Sequence, residues 1–166
     1  MKINRIFEKI WKNSFLKKLQ NIQKKSIQIS DIDEESEIVR IDKIGISNLG
    51  QGVIILKTEE GEEFPISAFS AETAKNISDF QECEKNENPS MYNMIEEICE
   101  NFGILLVKVR IFQSGKALRA NLYFTGKKEI ILRNYRASDA IALACFYKIP
   151  ILVRKELIQQ QPKIKR

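Results

Sequence analysis

Apolar and polar positions change period twice along this chain. In the opening stretch, Ile3, Ile6, Phe7, Ile10 and Trp11 fall on one helical face, with Lys2, Arg5, Lys9 and Lys12 opposite. That is the spacing of an amphipathic helix. Beyond Asn13 and Ser14 the stripe Phe15, Leu16, Leu19 and Ile22 is rotated by roughly a third of a turn. A break near Asn13 is therefore predicted, and one kinked helix and two short ones fit equally. The acidic, polar run from Ser30 to Ser36 reads as a linker.

From Glu37 the period becomes two. Ile38, Arg40, Asp42, Ile44 and Ile46 alternate imperfectly with their neighbours, and Val53-Ile54-Ile55-Leu56 is a compact apolar run. Both read as strands. The Glu59 to Glu63 stretch around Gly61 predicts a hairpin turn into Phe64-Pro65-Ile66, where the proline marks an edge strand or a strand end. Helical spacing returns from about Ser70, and again from Ser90 to Phe102 through Met91, Met94, Ile95 and Ile98, with Gly103 ending the helix. Ile104 to Phe112, Ala117 to Phe124 and Glu129 to Leu132 then read as three strands of an antiparallel meander, separated by Ser114-Gly115 and Gly126-Lys127. A buried helix around Asp139 to Cys145 and a short strand, Ile151-Leu152-Val153, close the pattern. No internal repeat is visible. Strands and helices fall in blocks, which predicts one α+β domain with a mixed or antiparallel sheet packed by helices. The predicted division is a basic helical arm over 1–30, the α+β domain over 36–160 and a basic tail over 161–166.

With 166 residues, one ordinary core is within reach, since roughly 70% of the unfolded surface is buried at this size. The charge distribution changes the picture more. Residues 1–25 carry eight Lys/Arg and one Glu, residues 154–166 five and one, and residues 26–153 fourteen against twenty Asp/Glu. The body is slightly acidic and both ends are basic. There is no histidine, so Ser-His-Asp and Cys-His catalysis and any histidine-ligated zinc site are excluded within the chain. Cys83, Cys99 and Cys145 are odd in number and lack a C-x-x-C pair, which reads as reduced thiols acting as small hydrophobes in a reducing compartment. No apolar stretch approaches the ~18 residues of a membrane span, and no secretory h-region is present. A cytoplasmic location is the expectation.

Arg136-Ala137-Ser138-Asp139-Ala140-Ile141-Ala142-Leu143-Ala144, then Ile149-Pro150-Ile151-Leu152-Val153 and Glu156-Leu157, resemble the bifunctional nuclease family. Its pattern reads R-P-S-D-A-I-A-L-A, then V/A-P-I-Y/F-V and a helix opening with acids. Upstream, Val53-Ile54-Ile55-Leu56, Glu63-Phe64-Pro65-Ile66 and Ala71-Glu72-Thr73-Ala74 match further stations in the same order, so the resemblance covers about 38–158. It implies a compact α+β fold, self-association into a homo-oligomer, and hydrolysis of DNA and RNA without sequence preference. Three stations differ. Ala137 replaces a proline; Ser67-Ala68-Phe69-Ser70 stands for W-I-G-P; and the family's His-Asp pair is Tyr92-Asn93, neither of which is a good base at neutral pH.

The resemblance leaves Glu72 and Asp139 as the matching acids and the candidate ligands of a Mg²⁺ or Mn²⁺ ion, which would activate water and neutralise a scissile phosphate. Arg136 can clamp a phosphate oxygen, with Ser138 donating beside it. The same residues also suit a helix N-terminus, where a serine or aspartate oxygen accepts backbone N–H groups and Arg136 pairs with Asp139. In the arm, Lys9, Lys12, Lys17, Lys18, Lys24 and Lys25 are candidate contacts to a nucleic-acid backbone, an anionic membrane surface being the less favoured partner. A metal-assisted nuclease and a noncatalytic binding or oligomeric module therefore stand side by side.

Overall fold

The computed structural model describes residues 35–82 and 89–160. The arm over 1–30 and the tail over 161–166 lie outside the described residues, and so does Cys83. Eleven elements follow in order: β1 (Ser36–Ile46), β2 (Gln51–Thr58), β3 (Glu63–Ser70), α1 (Ala71–Gln81), α2 (Met91–Phe102), β4 (Leu105–Ser114), β5 (Ala117–Thr125), β6 (Ile130–Arg136), α3 (Ala137–Tyr147), β7 (Ile151–Arg154) and α4 (Lys155–Gln159). The α+β expectation holds.

The strands form one mixed sheet in the order β3-β2-β1-β7-β4-β5-β6. Each outer trio is an antiparallel meander, and β7 lies between them, antiparallel to β1 and parallel to β4. β3, with Pro65, is an edge as the proline predicts. β6 is the other edge, and it runs to Arg136 rather than stopping near Leu132. Every one of its residues is exposed, so no alternation of buried and open positions marks its true end.

Alternate residues of the strands face the helices and make the core: Ile54 and Leu56 from β2, Val109 and Ile111 from β4, Ala120 and Leu122 from β5, all nearly or fully buried. α1 packs on β1, β2 and β3, α3 packs on β4, β5 and β6, and the two helices pack on each other. α3 is apolar on almost every side, and its Ala137, Ala140, Ala142 and Ala144 are buried with Ile141. Small residues let its backbone approach both the sheet and α1.

The halves repeat each other in shape. β2 starts at Gln51 and β5 at Ala117, while α1 starts at Ala71 and α3 at Ala137; the offset is 66 residues in both cases. Ala68 and Asn134 share that offset and both adopt positive φ, 64° and 65°. Each lies two residues before the residue that caps its helix, Ser70 or Arg136. Ala68 is an extra residue in β3, since Gly52 pairs with Phe69 and Val53 with Ser67. Gly52 lies under the Phe69 ring, where an added Cβ would come within 2.4 Å of a ring carbon. At the second kink the Asn121 side chain accepts the Asn134 backbone N–H at 3.3 Å.

Two cysteines fall within the described residues and both are free thiols. Burial pushes Cys145 up to about 12 and raises Cys99 as well. Burial also raises the Tyr147 phenol, which lies beside the Cys99 thiol without a well-formed hydrogen bond. These groups are protonated across the neutral range, in keeping with thiols that pack rather than react.

Two expectations follow from this packing. An alanine at positive φ carries strain that glycine does not, so Ala68→Gly is expected to stabilise the fold by about 0.5–1 kcal/mol in urea denaturation. Asn134→Gly should gain less, because asparagine tolerates this conformation. A thiol whose pKa is raised on folding contributes stability that is complete below its unfolded value near 9 and is lost as pH climbs toward the folded value of about 12. The melting temperature should therefore fall between those limits, and Cys145→Ala should flatten that fall by about 1.4 kcal/mol per pH unit, read from unfolding curves at graded pH.

Candidate functional site

Three helix starts supply the residues singled out in the sequence. Ser70 caps α1, its Oγ accepting the Thr73 backbone N–H at 3.1 Å, and Glu72 stands exposed in the first turn. Ser90 caps α2, whose first turn carries Tyr92 and Asn93. The α3 cap is Arg136, and its side chain makes no capping bond. Ser138 and Asp139 are thus the second and third helical residues rather than the cap. β6 runs straight into α3 at Ala137, two residues before the sequence pattern places the start.

Around α3 the predicted cluster assembles in part. Arg136 Nε lies 3.9 Å from Asp139 Oδ2, with both side chains about half exposed. Ser138, only 5% exposed, directs its hydroxyl toward Asp139 Oδ1 at a long 3.4 Å. This Arg-Ser-Asp group is open to solvent on its charged side, and Arg136 is a loose neighbour of Asp139 rather than a locked partner.

Tyr92, in the first turn of α2, packs its ring against the last turns of α1 and α3. Its ring is buried against Phe80 at 4.9 Å and lies 5.9 Å from Phe146. Burial raises the phenol above its ordinary value, the neighbouring Asn76 side chain pulls it back as a hydrogen-bonding partner, and the carboxylates of Asp139 and Glu72 both push it up again. One hydroxyl therefore feels both acids. Glu72 and Asp139 stand in the first turns of helices that pack on each other, and Tyr92 stays a neutral phenol. It is a donor, not a base.

Asn93 has a different task. Its Oδ1 accepts the Ser90 backbone N–H at 2.9 Å and the Ser90 hydroxyl at 2.7 Å. The residue at the family's aspartate position is thus occupied in fixing the start of α2, as a capping side chain does. Asn76 and Arg119 are the residues that sequence reasoning passed over. Asn76 lies one helical turn beyond Glu72, a spacing the sequence contained. Arg119 is paired across the sheet with Arg136, and only the strand register reveals that.

Among the described residues no group of three or more Asp, Glu, Cys or His side chains converges, so a closed cage of protein ligands is not built there. The donors at hand are two carboxylates and an amide, with the described thiols held protonated. That set suits an oxygen-preferring cation such as Mg²⁺ or Mn²⁺, which keeps water and substrate oxygens in its shell, far better than zinc. The six arm lysines lie outside the described residues. Among the described residues no helix is long and apolar enough to cross a membrane.

No curated protein matches the chain. The family model for the bifunctional nuclease domain matches residues 54–165, a span that takes in Glu72, Tyr92 and the whole Arg136 to Asp139 group. With two thirds of its length matched and the motif residues lying at the starts of adjoining helices, the chain belongs to the bifunctional nuclease domain family.

Proposed function

We propose that this protein is a metal-assisted phosphodiester hydrolase acting on DNA and RNA without sequence preference, with Glu72, Arg136, Ser138 and Asp139 at its site. The observation that supports the reading best is the match to the bifunctional nuclease domain over residues 54–165, which takes in Glu72 and the Arg136 to Asp139 group. Glu72 and Asp139, in the first turns of two helices that pack on each other, are the acids that a two-carboxylate Mg²⁺ or Mn²⁺ site would use. When bound, such an ion supplies a lower pKa for its water and neutralises charge on the phosphate. Arg136, more than half exposed beside Asp139, orients the scissile phosphate. Ser138 donates toward Asp139 at 3.4 Å. Lys9, Lys12, Lys17, Lys18, Lys24 and Lys25 of the arm add salt-dependent attraction for the nucleic-acid backbone.

A second reading, a noncatalytic nucleic-acid-binding module, is favoured by Tyr92 and Asn93. The first is a protonated phenol and the second is spent on the α2 cap, so neither supplies a base. Self-association belongs to both readings. β6 is an open edge strand that exposes Ile130, Ile131, Leu132 and Tyr135, a surface that strand pairing with a second copy would cover.

Cleavage of labelled single-stranded RNA and DNA with Mg²⁺ or Mn²⁺ decides between them. Asp139→Ala and Glu72→Gln are expected to lower the rate by about 100-fold or more, and Arg136→Ala by about tenfold or more, magnitudes typical of lost electrostatic and positioning groups, with the circular dichroism unchanged. A folded wild type that binds but does not cut in either metal would replace the hydrolase with the binding module. Light scattering should find an oligomer, and Leu132→Lys, which puts a charge on the edge strand, should shift it to monomer.

A further inference from the structure

Met91, Met94, Ile95 and Ile98 have the spacing of one apolar stripe, yet only Ile95 among them packs against the core. Tyr92 and Cys99 are the buried residues of α2. Met91, Met94, Ile98 and Phe102 stand between 46% and 75% exposed. At the helical step these four fall within about a quarter of the circumference. α2 is therefore apolar on two sides, and the molecule covers one of them. A helix side that meets only water is ordinarily polar, so the open stripe calls for an occupant.

The apolar surface continues past the end of the helix. Gly103 ends α2, and its carbonyl oxygen lies 2.9 Å from the place a Cβ on Gly126 would take, so the end of α2 abuts the turn between β5 and β6. Beyond that turn Ile130 and Leu132 pair with Phe124 and Leu122. Those two are core residues, which puts Ile130 and Leu132 on the helix side of the sheet, and each is more than a third exposed. Together the open parts of the six side chains come to roughly 600 Å², against the ~800 Å² that each partner gives to a stable interface. A patch of that size is at the upper limit for the surface of a monomer. Charge is divided along it as well. α2 carries Glu96, Glu97 and Glu100 and no Lys or Arg, whereas the turn opens with exposed Lys127 and Lys128 ahead of Glu129.

We propose that this surface is a homodimer interface in which α2 of one copy packs antiparallel on α2 of a second. A two-fold contact needs a patch that complements itself, with each residue meeting its counterpart's partner. The stripe has that property: its steps of three, four and four residues read almost alike in both directions, so Met91 meets Phe102 of the other copy and Met94 meets Ile98. Charge selects the direction. A two-fold axis along the helices would set Glu97 against its own mate, whereas an axis across them carries the lysines of each turn toward the acidic helix of the other copy. An anionic lipid surface fits less well, because the acids of α2 would lie against its headgroups. The proposal rests on the self-association reading, to which it adds a helix beside the strand edge, and it uses none of the hydrolase's residues.

The test is sedimentation velocity of the full chain at graded concentration, with vesicles containing phosphatidylserine as a separate probe. Ile98→Glu and Phe102→Glu, both at open positions, are each expected to raise the dimer Kd about 30-fold or more with the circular dichroism unchanged. Phe102→Glu, the more exposed of the two, gives the reading if Ile98→Glu does not fold. Glu97→Lys should weaken the dimer about threefold, and adding Lys127→Glu/Lys128→Glu should restore it by reversing both sides of the contact. Folded Ile98→Glu and Phe102→Glu proteins that dimerise as wild type does overturn the proposal; if Leu132→Lys dissociates the same protein, the strand-edge contact survives alone. A charge exchange that restores nothing overturns the antiparallel arrangement. A wild type that stays monomeric at about 100 μM, a concentration that populates even weak dimers, overturns this proposal and the self-association reading together, and leaves the hydrolase to its own cleavage assay. A monomer that binds the vesicles through Ile98 and Phe102 overturns it too, by giving the surface to lipid.

Discussion

Four residues hold the sheet together. Ile151, Leu152 and Val153 of β7 are buried, and their hydrogen bonds to β1 on one side and β4 on the other are the only strand pairing, among the described residues, that joins the two meanders. Lys155 adds a backbone bond to Glu35 at 2.8 Å, where β1 begins. Because β7 runs parallel to β4, the chain has to cross the sheet before inserting it, and α3 lies in that crossing. Much of the molecule follows from this. A helix crossing beneath the sheet and against α1 must be apolar nearly all round and narrow, hence its alanines. Its first turn then carries Asp139 beside Arg136, at the end of β6.

The two acids hold their places for mechanical reasons that are independent of chemistry. Glu72 and Asp139 lie in first helical turns, where a carboxylate faces the positive end of the helix dipole. Helix starts recur at corresponding ends of the repeated β-β-β-α units, and each carries one acid in its first turn, although by the 66-residue offset Glu72 corresponds to Ser138 and Asp139 to Thr73. At the other ends of those two helices Phe80 and Phe146 meet at 5.2 Å, separated by the same 66-residue offset, and Tyr92 packs against both.

Much of this was legible in the sequence, and the rest was not for identifiable reasons. The helix around Asp139 and the Gly103 stop are local signals, and Gly103 does adopt φ 63°. Pro65 correctly marked an edge. The end of β6 was missed because an edge strand exposed on every residue shows no period. The repeat was invisible because the halves share shape far more than residues; coincident identities such as Leu56 with Leu122 and Ala74 with Ala140 occur where the core leaves no choice. Asn93 read as a lost acid from the family pattern alone, whereas its carbonyl oxygen holds the α2 start. Pairing of Arg119 with Arg136 lies in the register between strands, which no local pattern encodes.

The position of β7 has a consequence for how the chain comes off the ribosome. Both meanders precede it in the sequence, so each can form while β7 is still unmade, but the edges of β1 and β4 that it will occupy stay open in the meantime. At roughly 5–20 residues per second, the edge of β1 waits on the order of ten seconds for its partner, and an open edge is a template for the wrong neighbour. The charges the chain carries there, Glu37 and Arg40 on β1 and Lys108 and Arg110 on β4, keep those edges soluble through the delay. The bulge between Ile41 and Lys43 bends β1 away from a flat pairing surface over the same interval.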